Sequence, residues 1–226
     1  MQFSCLTNIF IELLTKFLNS SGRTNDEKEK DLFFKIQSIG VKSIHIFREA
    51  FPHTPWIFVY RNPVQVMRSH LKTKGTSQAV CLRSRHHPQK DLYSIVRRIG
   101  DTKPQNLSHE EFCSAHLATL CEAALTQVKD SNGLGKVVNY DNLMSSLIEN
   151  IIPKHFLQVE SLPYFSKRNI EDVSEFYSKG RGGGKMWDED SHKKEETAWQ
   201  EMKDACSTYL QPSYDELEKV QEQQWL

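Results

Sequence analysis

The sequence predicts an α/β domain in which a parallel sheet is flanked by helices. Residues 56–60 (WIFVY) form an unbroken apolar and aromatic run, the pattern of a strand buried on both faces. Strand-like and helix-like segments alternate: residues 32–37 (LFFKIQ), then Ile44, Phe47 and Phe51 on one helical face, then 56–60, then Val64, Met67 and Leu71. Asn62-Pro63 stands where the second strand gives way to its helix, with Asn suited to the N-cap and Pro to the first helical position. Strand, helix, strand, helix implies parallel strands joined by right-handed crossovers.

A chain of 226 residues can bury one sizeable core, so a single domain spanning 1–226 is expected. It divides into an N-terminal helix (1–20), a charged loop (21–30), a core (31–185) and C-terminal helices (190–226). Ile9, Leu13 and Phe17 recur at a spacing of four, which fits an amphipathic helix better than a signal peptide. No run reaches the ~18–20 apolar residues of a membrane span. The 29 basic residues balance 29 acidic ones, which argues against a nucleic-acid or membrane-surface binder, so any anion site must be local. Five cysteines, odd in number and without a CxxC pair, argue against a disulfide framework or a zinc site. They fit buried thiols, Cys113 and Cys121 among them, in a reducing, cytoplasmic setting.

Further along, residues 92–99 read as a short helix, and Ser108 with Glu111 as a capping box opening a long one. Residues 136–140 (KVVNY) read as a third core strand, with Asp141-Asn142 capping the next helix. Pro153 and Pro163 separate short helices, and the helix marked by Trp199, Met202, Cys206 and Tyr209 ends near Pro212. Arg83, Arg85, His86 and His87 read as a solvated basic loop, and 188–190 as an exposed charged turn; no metal site is expected.

Two places carry anion-binding chemistry. Arg61 comes directly after the second strand, where helix N-termini and forked guanidinium donors favour a phosphate, and Ser69 lies about two turns along the same helix. Residues 178–185 (SKGRGGGK) form a glycine-rich basic loop whose amides can approach an anion. Met186 comes after Lys185 where a Walker loop has Ser or Thr, and Gly133–Lys136 lacks that residue too, so a kinase-like phosphate loop is not predicted.

The segment PWIFVYRNPVQVMRSHL resembles the 3′-phosphate-binding segment of sulfotransferases, an apolar strand followed by Arg and, eight residues later, Ser. The resemblance is strong over 32–72, moderate over VVNYDNL and weak over 177–185. It implies a P-loop NTPase-like fold that uses 3′-phosphoadenosine 5′-phosphosulfate (PAPS) as co-substrate. Arg61 and Ser69 would hold its 3′-phosphate. Lys179, Gly180 and Arg181 would cover it, with Ser178 standing where the family has Arg. Lys35 matches the family's lysine near the sulfuryl group, and Gln37 replaces the histidine base, so Gln37 can orient an acceptor but not take its proton.

The family's Pro-Lys-Ser-Gly-Thr-Thr loop has no counterpart before Leu32. Either the chain is a truncated member or another segment fills that place. An incomplete sheet would leave a strand edge open to self-association. The implied activity is transfer of a sulfuryl group from PAPS to a hydroxyl or amine acceptor. The alternative is an inactive or truncated nucleotide-binding relative acting as an interaction module.

Overall fold

The computed structural model describes residues 33–100, 103–174 and 190–224. The N-terminal helix and charged loop predicted over 1–30, and the glycine-rich loop, lie outside these residues. In chain order come a 3₁₀ turn (Ser38–Ser43), α1 (Ile44–Ala50), β1 (Trp56–Tyr60), α2 (Pro63–His70), a short turn (Val80–Leu82), α3 (Lys90–Ile99) and α4 (His109–Lys129). Next are β2 (Gly135–Asn139), α5 (Leu143–Ser146), a π-helical stretch (Leu147–Phe156), α6 (Tyr164–Ser174), α7 (Ser191–Glu196), α8 (Gln200–Ala205), a second π stretch (Cys206–Leu210) and α9 (Gln211–Gln223). Among the described residues the fold is mixed helix and strand, mostly helical, with a two-stranded parallel sheet. None of the described helices is long and apolar enough to cross a membrane.

The parallel pairing of the two clearest strands is as predicted, with Trp56 opposite Gly135 and Tyr60 opposite Asn139. The indole of Trp56 lies over Gly135 so closely that a Cβ there would sit 2.4 Å from its ring, so the glycine pins the register. β1 departs from prediction in its burial: Tyr60 is buried, whereas Val59 is 41% exposed. The expected first strand, 32–37, is absent over its described part. Residues 33–37 are unpaired coil with Phe33, Phe34 and Ile36 exposed. Aromatic residues favour strands only where a pleated, half-buried surface and a ladder partner receive them, and here they have neither. The chain turns instead at Gly40, whose N–H bonds the carbonyl of Gln37, in a turn too tight over Ile36 for a Cβ.

α4 is the centre of the molecule. Ser108 and Glu111 make the predicted capping box, with bonds of 3.1 and 2.8 Å. Phe112, Cys113, Ala115, Ala118 and Ala124 are fully buried on several faces of the helix, as befits one surrounded by other elements. α3, α8, α9, the Cys206–Leu210 stretch and β2 all pack on it. Its core continues through Met67, Leu71, Leu92, Val96 and Met202, while Tyr60, Val137 and Leu217 form a smaller cluster under α9.

Cys81 and Cys113 are joined in a disulfide, which corrects the expectation of free thiols. The bridge ties the irregular stretch around Val80–Leu82 to α4 across a sequence separation of 32, which in chain-entropy terms is worth about 3–4 kcal/mol. The compartment inferred from unpaired cysteines loses that support. Two prolines also behave differently from prediction. Pro153 lies inside the Leu147–Phe156 helix, where wider π-type bonding absorbs its missing N–H. Pro212 sits in the first turn of α9, where no N–H is needed, so the helix begins there rather than ends. The cap after β2 also shifts: Asn139 accepts from Asp141 N at 3.0 Å, and Asn142 makes no side-chain cap.

Candidate functional site

The C-terminal ends of β1 and β2 lie side by side, and the residues just beyond them meet. Asn62 caps α2, its Oδ1 accepting from Val64 N at 2.9 Å and Gln65 N at 3.4 Å. These two bonds satisfy helix N–H groups that an anion would otherwise use. Arg61 turns its guanidinium over the ring of Tyr140, 4.5 Å from the centroid, a cation–π contact between the two strand ends.

The same guanidinium is gripped by polar groups. Arg61 Nε donates to Gln65 Oε1 and Nη2 donates to Ser191 Oγ; Asp190 Oδ1 lies 3.4 Å from Nη2. Gln65, itself buried, donates to Glu195 Oε1 at 2.6 Å. One turn on, Arg68 donates to Thr197 Oγ1 at 3.2 Å and lies near the ring of Trp199. Residues 61, 65 and 68 thus form one polar seam along which α7 and the turn after it lie against α2.

Lys194 reaches back to Asp190 at 2.6 Å. Burial disfavours the charge on Asp190, but Lys194 and Arg61 together outweigh it and hold the carboxyl below its usual range. Asp190 faces both Arg61 and Lys194, so an incoming anion competes with a carboxylate already in place.

Ser69 donates its hydroxyl to the carbonyl of Gln65 at 2.9 Å, on an exposed part of α2. Arg61 and Ser69 are therefore both neighbours of Gln65, one through its carboxamide and one through its backbone. Lys35 and Gln37 are exposed in the coil before the first turn, rather than at a strand end. No hydrogen bond or ion pair joins either of them to the Arg61 cluster among the described residues. Lys179, Gly180 and Arg181 lie outside the described residues.

Sequence reasoning singled out Arg61 but not the side chains around it. Gln65 carries a signal in retrospect, four residues from Arg61 on the same helix. Asp190, read as part of an exposed charged turn, and Glu195 carry none, because only tertiary packing brings α7 to α2. Fold and junction together define a mixed helix-and-strand protein with a guanidinium held at the carboxyl ends of a parallel strand pair. Comparison with known proteins adds no relative: no family model, no curated protein and no solved structure matches the chain.

Proposed function

We propose that this chain is a sulfotransferase-like protein of P-loop NTPase-like ancestry that binds PAPS, or the 3′,5′-adenosine bisphosphate left after transfer, at the Arg61 junction. The observation that supports this reading is the setting of Arg61: a guanidinium immediately after a parallel strand, beside a proline-started helix, where α/β proteins bind anionic ligands. Arg61 and Ser69 would hold the 3′-phosphate, with Lys179, Gly180 and Arg181 closing over it. Asp190 competes for the same guanidinium and sets the affinity. A cytoplasmic address belongs to the same proposal, with Cys81 and Cys113 then held as thiols.

Transfer of a sulfuryl group to a hydroxyl or amine would rest on positioning and charge, with Lys35 at the sulfuryl group and Gln37 orienting the acceptor. A second reading, a nucleotide-binding module without transfer, is favoured by two observations: Gln37 cannot accept a proton, and it stands exposed in coil.

Calorimetry with 3′,5′-adenosine bisphosphate tests the binding site. Saturable binding is expected, weakened by about tenfold or more in Arg61→Ala, the loss of charge-assisted bonds. Asp190→Asn, which removes the competing carboxylate, should tighten it several-fold. Binding of ATP in preference, or indifference to both substitutions, overturns the proposal. Labelled sulfate transfer from PAPS to an acceptor panel then separates the readings: transfer supports the enzyme, and intact binding without transfer supports the module.

A further inference from the structure

The disulfide has a histidine beside it. His70, the last residue of α2, brings a ring nitrogen to the sulfurs of Cys81 and Cys113 so that all three ligand atoms lie within 4.8 Å of one another. The three residues come from three separate elements: α2, the Val80–Leu82 turn and α4. We propose that, once the bridge is reduced, Cys81, Cys113 and His70 form a zinc site, so that disulfide and metal are alternative locks at one point of the core.

The distances suit the exchange. Two zinc–sulfur bonds of ~2.3 Å at a tetrahedral angle place the sulfurs about 3.8 Å apart, and a zinc–nitrogen bond of ~2.0–2.1 Å places the imidazole about 3.6 Å from each. Opening the bridge from its bonded length therefore asks the sulfurs to part by less than ~2 Å, within the reach of side-chain rotation.

Charge selects the ion. Cys81 and Cys113 are fully buried in a cluster with Met67, Leu71, Leu82 and Leu92. Bare thiolates there would be costly, but two thiolates, a neutral imidazole and a divalent cation sum to zero charge. A monovalent soft ion would leave a net negative charge in the same surroundings. Zinc takes this sulfur–nitrogen set in tetrahedral geometry. Three protein ligands leave one tetrahedral position, which a water would take as fourth ligand.

The steps balance. A small dithiol transfers two electrons and two protons to the bridge, becoming a disulfide itself and leaving two protein thiols. Zinc binding then releases those two protons as the thiolates coordinate.

Cobalt(II), a spectroscopic substitute for zinc, tests this on the untagged full chain. Oxidised protein should bind no cobalt at the bridge. Protein reduced with dithiothreitol and desalted without oxygen should take up one cobalt per chain, with a thiolate-to-cobalt charge-transfer band that added zinc abolishes. His70→Ala keeps both cysteines, so its oxidised form reports folding by circular dichroism. Once reduced, it should bind cobalt at least tenfold more weakly. Reduced protein without the charge-transfer band, or His70→Ala with unchanged cobalt affinity, overturns the site.

Discussion

At the scale of single residues, environment decides more than identity. Arg61 was legible because the signals around it are local: an apolar run, an arginine, an Asn-Pro helix start. Its partners Asp190 and Glu195 were not, since a carboxylate far along the chain announces nothing about the cation it will meet. His155 shows the same dependence on packing. Burial pushes its pKa below 6.5; the bond to the Trp56 carbonyl works the other way, and nearby Lys136 adds to the lowering. The folded protein thus favours the neutral ring. That contribution is fully present above about 6.5 and is lost as pH falls below it. Because the ring is only partly buried, the effect is small. Urea unfolding at neutral and mildly acid pH should show a smaller acid loss in His155→Gln than in the parent; equal losses would exclude the effect.

At the scale of elements, the open edge expected of a short sheet is partly closed by side chains. Gln224, at the end of α9, accepts from Val137 N at 2.9 Å and donates to the carbonyl of the same residue. Gln221 accepts from Asn139 N and from the Tyr60 hydroxyl. The two carboxamides act on β2 as a neighbouring strand would. Gln224→Ala leaves two strand groups unpaired and should cost about 1–3 kcal/mol in chemical denaturation, whereas a loss below a few tenths would mean water replaces the amide freely. Elements specified by adjacent residues were readable in the sequence: β1, α2 with its Asn62 cap, α4 with its capping box, β2. Residues 33–37 are coil rather than strand because a strand is a property of a pair, and the sequence of one partner does not say whether the other is there.

At the scale of the whole molecule, the sequence suggested alternating layers and the structure is a helical body with a small sheet. What could not be read was long-range pairing. Cys81 finds Cys113 and His70 only through the packing of α2 and the Val80–Leu82 turn on α4, and no spacing rule contains that meeting.

The parallel pairing of β1 with β2 has a kinetic consequence. Everything from α2 through α4 lies between the two strands, so they cannot align until that insert has compacted and brought residue 56 near residue 135. Closing so long a loop is entropically unfavourable until the contacts inside it are made. We predict that the strand pair is among the last parts to order during folding. In refolding, substitutions at the contact of Trp56 with Gly135 should chiefly accelerate unfolding, and those in α4 should slow folding; the reverse pattern would mean that the strands nucleate the chain.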